Sequence, residues 1–139
     1  MLLNPAVKDN ISMISIHAEL IMYGDVFINI VDNGTKGITV DWLSLCDGGD
    51  VADKGEKSYS SVSYKDLIDY FYNIDFPEQE DEEMNVSWEI QFFNQNEDAI
   101  DSNGFGYWNR EVIMGIITQL QEIIKDEEPF ISMLDTLNA

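Results

Sequence analysis

The sequence predicts an α+β fold in which helices pack on one face of an antiparallel β-sheet. Apolar and polar residues alternate between residues 11 and 45, and the alternation returns after residue 85. Other segments repeat apolar residues at helical spacing. The predicted order is a meander of three strands, a helix, a later strand and further helices, which is typical of a sheet covered on one side. Because the chain shows no internal repeat and no linker, residues 1–139 are expected to form a single α+β domain.

The meander is predicted by strand alternation that gathers apolar side chains on one face. Tyr23-Gly24-Asp25 predicts a tight turn, and Asn33-Gly34 predicts a second one because both residue types tolerate positive φ. The polar, glycine-containing segment 47–61 predicts a surface loop. The apolar positions of the meander are Ile14, Ile16, Ala18, Leu20 and Met22, then Val26, Ile28 and Ile30, and finally Ile38, Val40 and Trp42.

The remaining elements follow from caps and spacing. Ser63 and Asp66 resemble a capping box for a first helix that is expected to end near Asn73. A loop is expected over residues 94–106, with room for a short extra strand at 105–108. The fourth strand is predicted by Val86, Trp88, Ile90 and Phe92. The longest helix should follow Asn109 and bury Val112, Ile113, Ile116, Ile117, Leu120, Ile123 and Ile124. A short helix beginning near Pro129 should bury Phe130, Met133, Leu134 and Leu137.

The charge of the chain restricts its partners. It carries 27 Asp and Glu against 7 Lys and Arg, a net charge of −20. Charge of one sign destabilises a compact state through self-repulsion. Direct binding to nucleic acid is excluded, because affinity for phosphate backbones comes from Lys and Arg. The composition favours a basic protein as partner.

Composition also indicates the environment of the protein. Hydrophobic residues make up 45% of the chain, which is enough for a packed core. Cys46 is the one cysteine, so no intrachain disulfide can form, and we interpret it as a small apolar filler at a strand end. No stretch is long and apolar enough to span a bilayer, and residues 1–6 lack the basic start of a signal peptide. A soluble, cytoplasmic protein with no membrane contact is expected.

No constellation of residues predicts catalysis. His17 is the one histidine and shares a strand face with Ser15 and Glu19. Residues two apart on a strand stand roughly 6.5–7 Å apart, beyond hydrogen-bond reach, so no relay is expected. Glu89 has two apolar neighbours in the chain but should point to water. We predict no catalytic residue, and the protein is not expected to be an enzyme.

Metal and cofactor sites are not predicted either. A loop that resembles a calcium-binding loop places Ala99 and Arg110 where oxygen ligands are required. Asp47, Asp50 and Asp53 are spaced by threes but are interpreted as solvated loop residues. One cysteine and one histidine do not make a zinc site.

The acidic residues form groups that predict a partner-binding surface. Six acids lie within residues 75–83, and three lie within residues 97–101. A third group, 126–128, lies at a helix C-terminus, where negative charge opposes the helix dipole. Trp88, Phe93, Tyr107 and Trp108 could supply an apolar anchor beside the acids. The predicted partner-binding residues are Asp75, Glu78, Glu80, Asp81, Glu82, Glu83, Glu97, Asp98, Asp101 and Trp108.

An acidic surface of this kind suits an inhibitor that blocks the positive cleft of a nucleic-acid-processing enzyme. In size, charge and element order the chain resembles the immunity proteins that bacteria keep against nuclease toxins, which is the preferred interpretation. A phage-encoded DNA mimic that inhibits a CRISPR effector or a restriction enzyme is the alternative. A small carboxylate-dependent enzyme and an acidic adaptor subunit are alternatives of another class. A long apolar edge in the 11–31 hairpin would also allow a homodimer.

Overall fold

The computed structural model describes residues 10–20, 24–74, 86–107 and 110–138. Its strands are β1 (Met13–Leu20), β2 (Gly24–Asp32), β3 (Ile38–Cys46), β4 (Val51–Tyr59), β5 (Val86–Phe93) and β6 (Ala99–Tyr107). Its α-helices are α1 (Tyr64–Asn73), α2 (Arg110–Ile124) and α3 (Ile131–Leu137). The predicted α+β class is confirmed, and the sheet has more strands than the alternation indicated.

All pairings in the sheet are antiparallel, and the spatial order is β4-β3-β2-β1-β5-β6. The central strand is β1, which pairs with β2 through Ile16↔Ile28 and with β5 through Ile16↔Ile90. The expectation that the 11–31 hairpin forms an edge is therefore wrong, because β5 covers the free side of β1. In the described sheet the edges are β4 and β6. The loop predicted over residues 94–106 is therefore wrong for most of its length, because Ala99–Tyr107 forms the edge strand β6.

The loop predicted over residues 47–61 is also wrong, because most of this segment forms the edge strand β4. Its side chains are mostly exposed, so the strand lacks the apolar alternation that identified the inner strands. Gly55 stands opposite Trp42 on β3, and a Cβ at this position would overlap the indole ring. The glycine therefore lets the edge strand lie against a large side chain.

The helices cover one face of the sheet and form a single core with it. Ile14, Ile28 and Ile30 are fully buried beneath them. The ring of Phe71 on α1 meets the ring of Phe92 on β5 edge-on, with centroids 5.7 Å apart. Such edge-to-face packing is favourable because the positive ring edge approaches the negative ring face.

The helix boundaries follow the sequence with one correction. Ser63 precedes α1 in extended conformation, but its side chain makes no capping hydrogen bond, so the expected capping box is not formed. The predicted end at Asn73 is confirmed. Pro129 lies in a single 3₁₀ turn, Glu128–Phe130, that leads directly into α3. Buried residues of the later helices include Ile113, Ile116, Ile117, Leu120, Ile124, Phe130, Met133 and Leu137, as the spacing predicted. Ile123 and Leu134, which were also predicted to be buried, are only partly buried at the margin of the core.

Candidate interaction surface

Three of the predicted partner-binding residues lie in the described part of the chain. Glu97 and Asp98 are exposed in the turn between β5 and β6, where the Asn94 side-chain oxygen accepts the Asp98 N–H at 3.1 Å. Asp101 lies on β6, so this acidic group spans one turn and the start of an edge strand. The other predicted partner-binding residues fall outside the described residues: Asp75, Glu78, Glu80, Asp81, Glu82, Glu83 and Trp108.

The predicted apolar anchor is not one group. Trp88 is buried on the helix-covered face of the sheet, whereas Phe93 is half-buried and belongs to the opposite face. The period of two explains the correction, because residues an odd number of positions apart on a strand point to opposite faces. The Trp88 side chain therefore belongs to the core and is not available to a partner.

The acidic group that follows α2 contributes to the fold. Lys57 on β4 donates to Asp126 at 2.7 Å and to Glu128 at 3.1 Å. The Tyr59 hydroxyl donates to the same Asp126 carboxylate at 2.6 Å. These four residues, which we call the Lys57 cluster, join the edge strand to the segment between α2 and α3. One ammonium group therefore pairs with two carboxylates within the chain.

Contacts within the Lys57 cluster change the pKa values of Asp126 and Tyr59. Hydrogen bonds from Lys57 and Tyr59 lower the pKa of the Asp126 carboxyl to about 2. Burial, followed by the hydrogen bond to Asp126, raises the pKa of the Tyr59 phenol. Both directions favour the pairing seen here, with a carboxylate accepting from a protonated phenol and an ammonium group. Asp126 is therefore held in its charged form by its neighbours.

The sheet surface turned away from the helices, here called the open face, has a different character. Within the described residues no helix covers it, and its side chains are half-buried or exposed. On the inner strands, its members are the residues that alternate with the buried ones. On β4, whose side chains are mostly exposed, they are the residues that pair with open-face residues of β3. They are Met13, Ser15, His17 and Glu19; Asp25, Phe27, Asn29 and Val31; Thr39, Asp41, Leu43 and Leu45; Val51, Lys54, Glu56 and Ser58; and Ser87, Glu89, Gln91 and Phe93.

Carboxylates face one another across the open face. Glu19 on β1 stands directly opposite Asp25 on β2, and Asp41 on β3 stands directly opposite Glu56 on β4. Side chains that are directly opposite in an antiparallel pair have Cβ atoms only about 4.5–5.5 Å apart, and like charges there are destabilising. The Asn29 amide donates to the Asp41 carboxylate at 2.9 Å, which orients this group but does not remove its charge. Repulsion between like charges therefore remains in both pairs, and sheet stability does not explain it.

His17 on β1 also lies on the open face and contacts two residues of β2. Its Nε2 lies 2.7 Å from Asp25 Oδ1, and its ring stacks on Phe27 with centroids 4.3 Å apart. The histidine therefore contacts the neighbouring strand β2, a contact that its position in the sequence did not predict. Glu89 stands opposite His17 on β5 and, as predicted, lies on the face away from the core.

An apolar strip crosses the open face from β2 to β4. Its members Phe27 and Leu43 lie between the two acidic pairs, and Lys54 on β4 stands opposite Leu43. Phe27 on β2 pairs with Leu43 on β3, and Leu45 pairs with Val51 on the edge strand. Val51 is 57% exposed, which is high for a large apolar side chain. We call Phe27, Leu43, Leu45 and Val51 the apolar strip. An apolar centre with a charged rim is the usual anatomy of a protein–protein interface.

A cleft of about 590 Å³ lies at the start of α1, between the β2–β3 turn and the residues that precede the helix. Asp32 and Tyr64 are among its lining residues. The Asp32 carboxylate accepts the Gly34 N–H at 2.8 Å and so stabilises the turn. The Tyr64 hydroxyl is buried, and this burial raises the pKa of its phenol. These contacts account for the local structure and assemble no nucleophile with a base.

The described residues provide neither a metal site nor a helix that could cross a membrane. In the part of the chain that the structure describes, no group of three or more His, Cys, Asp or Glu side chains could hold a metal ion. The spaced aspartates of the 47–53 segment are divided between a turn and β4, and Asp53 accepts the Ser132 hydroxyl at 2.8 Å. No helix among residues 10–20, 24–74, 86–107 and 110–138 has the length and apolarity needed to cross a membrane.

No family model, curated protein or solved structure matches this chain. Function is therefore inferred from the surfaces of the protein. The acids of the open face are scattered along the sequence, at Glu19, Asp25, Asp41 and Glu56, so no run of acidic residues indicates this face. Their position on the polar side of each strand was visible, but the register that places them in pairs was not.

Proposed function

We propose that this protein is an acidic inhibitor that binds and neutralises a basic nucleic-acid-processing enzyme in the cytoplasm. The preferred role is that of an immunity protein against a nuclease toxin. The observation that carries the proposal is the pairing of like charges on the open face, Glu19 with Asp25 and Asp41 with Glu56, in a chain of net charge −20. A surface that works against folding is expected to serve binding.

The proposed mechanism is electrostatic. A positive cleft that normally holds phosphates would approach the carboxylates quickly, because complementary potentials accelerate encounter. Once bound, the cations of the enzyme lie between carboxylates that otherwise repel one another, so binding relieves a repulsion that the free protein retains. The substrate is then excluded, since its phosphates need the same cations.

The apolar strip favours an immunity role over a DNA mimic. A mimic needs regularly spaced charges along a polar surface, whereas Phe27 and Leu43 form an apolar centre between the acidic pairs. Buried apolar anchors supply most of the energy in tight protein–protein complexes. A partner that offers only a phosphate-binding groove would leave this strip unused.

The test is affinity capture from a lysate of the organism that encodes the chain, at low salt and at about 0.5 M salt, followed by an activity assay. We expect a basic nuclease or toxin domain that is recovered at low salt and much less at high salt. The purified chain should inhibit its nucleic-acid cleavage at a stoichiometric ratio. Recovery of no basic protein, or of one whose activity is unchanged, would contradict the proposal. The identity of the enzyme distinguishes an immunity protein from a phage inhibitor.

A further inference from the structure

We propose that the open face is the contact surface for the basic partner, and that the partner places an apolar side chain against the apolar strip between two groups of basic side chains. This inference rests on the proposed inhibitor function and names the surface that performs it. The proposed contact residues are acids that the sheet register brings together, rather than the runs of acids along the sequence.

The geometry defines what the partner must present. The Glu19–Asp25 pair lies on β1 and β2, and the Asp41–Glu56 pair lies two strands across and four residues along on β3 and β4. With strands about 4.8 Å apart and a rise of about 3.4 Å per residue, the two pairs are roughly 17 Å apart. Phe27 and Leu43 lie between them on the same face. The partner should therefore carry two basic groups at this spacing, with an aromatic or aliphatic side chain between them.

Charge selects a basic partner over a second copy of the chain. The open face holds five carboxylates, and among its described residues Lys54 is its lone Lys or Arg. Two open faces placed together would bring like charges into contact, which costs free energy at an interface. Lys57, by contrast, lies on the helix side with Asp126 and Glu128, so it cannot neutralise the open face. The five carboxylates belong to Glu19, Asp25, Asp41, Glu56 and Glu89.

A defined peptide tests the surface without knowledge of the natural partner. The probe is a short synthetic peptide in which Trp-Leu is flanked on both sides by Arg-Lys, and its matched control carries Ser-Ser at the centre. Titration is followed by the amide resonances of the protein. We expect saturable shifts at Phe27, Leu43 and Leu45, and binding about tenfold tighter for the apolar peptide. Shifts elsewhere, equal affinity for both peptides, or no binding would overturn the inference.

Variants separate the apolar and the electrostatic parts of the contact. Leu43→Ser and Val51→Ser should each reduce the preference for the apolar peptide, and Val51→Ser keeps the fold intact because this side chain is already exposed. Glu19→Gln with Glu56→Gln should weaken binding of both peptides several-fold at low salt. The matched control, Glu122→Gln with Asp135→Asn, removes the same charge from exposed positions of α2 and α3 and should leave binding nearly unchanged. Equal loss in both double variants would show that only net charge matters and would refute the assigned surface.

The same variants, tested on the enzyme recovered by capture, distinguish two kinds of failure. If the enzyme binds the Val51→Ser and Glu19→Gln/Glu56→Gln variants as tightly as the unchanged protein, the surface is wrong while the inhibitor function stands. If the peptide binds the open face but no basic enzyme is recovered, the surface stands and the proposed function is wrong. Loss of inhibition in these variants, with retention in the Glu122→Gln/Asp135→Asn control, supports both.

Discussion

The Lys57 cluster and the open face hold acids in opposite circumstances. On the helix side, Asp126 and Glu128 surround Lys57, and Asp126 also accepts a hydrogen bond from Tyr59. On the open face, Glu19 stands opposite Asp25, which also contacts the half-buried His17 at 2.7 Å. The former acids join two parts of the chain, whereas the latter repel each other. A count of acidic residues cannot distinguish these cases, so only the placement of each acid indicates whether folding or binding explains it.

The comparison assigns a structural role to one side of the sheet and a binding role to the other. Its largest consequence concerns apolar side chains. Ile28→Ala removes a fully buried side chain beneath the helices and should lower the free energy of unfolding by about 2–5 kcal/mol. Leu43→Ala removes a side chain of equal size from the half-exposed open face and should cost about 1 kcal/mol. Urea denaturation measures both, and equal losses would show that the open face is part of the core.

The next largest effect is expected where the edge strand packs against Trp42 on the helix-covered face. Gly55→Ala places a Cβ against the Trp42 ring and should destabilise the protein by about 1–3 kcal/mol. Gly115→Ala is the matched control. Gly115 lies in α2, and a Cβ at this position has no neighbouring atom within 4 Å. Alanine is also favoured over glycine in a helix by up to about 1 kcal/mol. Thermal unfolding should therefore shift in opposite directions. A neutral Gly55→Ala would mean that Trp42 moves aside at little cost.

The third prediction concerns the sign of charge removal. Glu19→Gln and Glu56→Gln should each stabilise the fold by about 0.2–1 kcal/mol, because each relieves a repulsion across the sheet. Asp126→Asn should destabilise it, because Lys57 and Tyr59 lose a charged acceptor. The measurement is urea unfolding at low salt and at about 1 M salt, which screens exposed charges. The same sign for all three variants would remove the distinction between the two regions.

The smallest expected effect is a pH dependence confined to the Lys57 cluster. The Asp126 carboxyl has a pKa of about 2 in the folded protein, below that of an unfolded aspartate. Its contribution to stability is therefore fully present above about pH 4 and is lost as the pH falls through about 2. The difference in unfolding free energy between the unchanged protein and Asp126→Asn should shrink over this interval. A constant difference would exclude titration of Asp126 as its cause.

The sequence predicts well what depends on a period and poorly what depends on register. The buried stripe through Ile113, Ile117 and Leu120 and the alternation through Ile28 both fix a face without reference to any partner. The edge strand β4 was not predicted, because a strand exposed on both sides has no apolar alternation. The pairing of β1 with β5 was also not predictable, since residues of similar apolar pattern could have paired in another order.

The candidate surface was predictable only in part. A net charge of −20 indicates an acidic surface, and runs of acids along the chain predict where it lies. The sequence does not show which distant acids the sheet brings together. Glu97 and Asp98 remain exposed in a turn, consistent with a contact role that stays a prediction. Asp126 and Glu128 showed the same acidic signal in the sequence, and yet their charges are used within the fold. Local sequence contains charge, whereas opposition across strands requires the three-dimensional register.

The position of β1 at the centre of the sheet has a consequence for synthesis on the ribosome. Ile16 pairs early with Ile28, twelve residues away, but its other partner, Ile90, is translated much later. Until β5 emerges, the nascent meander exposes a flat, apolar strand with unpaired backbone groups, which is a template for aggregation between neighbouring chains. The negative charge of Glu19 and Asp25 at the end of this hairpin makes such chains repel one another. The acidity that we assign to binding would thus also protect the protein while it is being made.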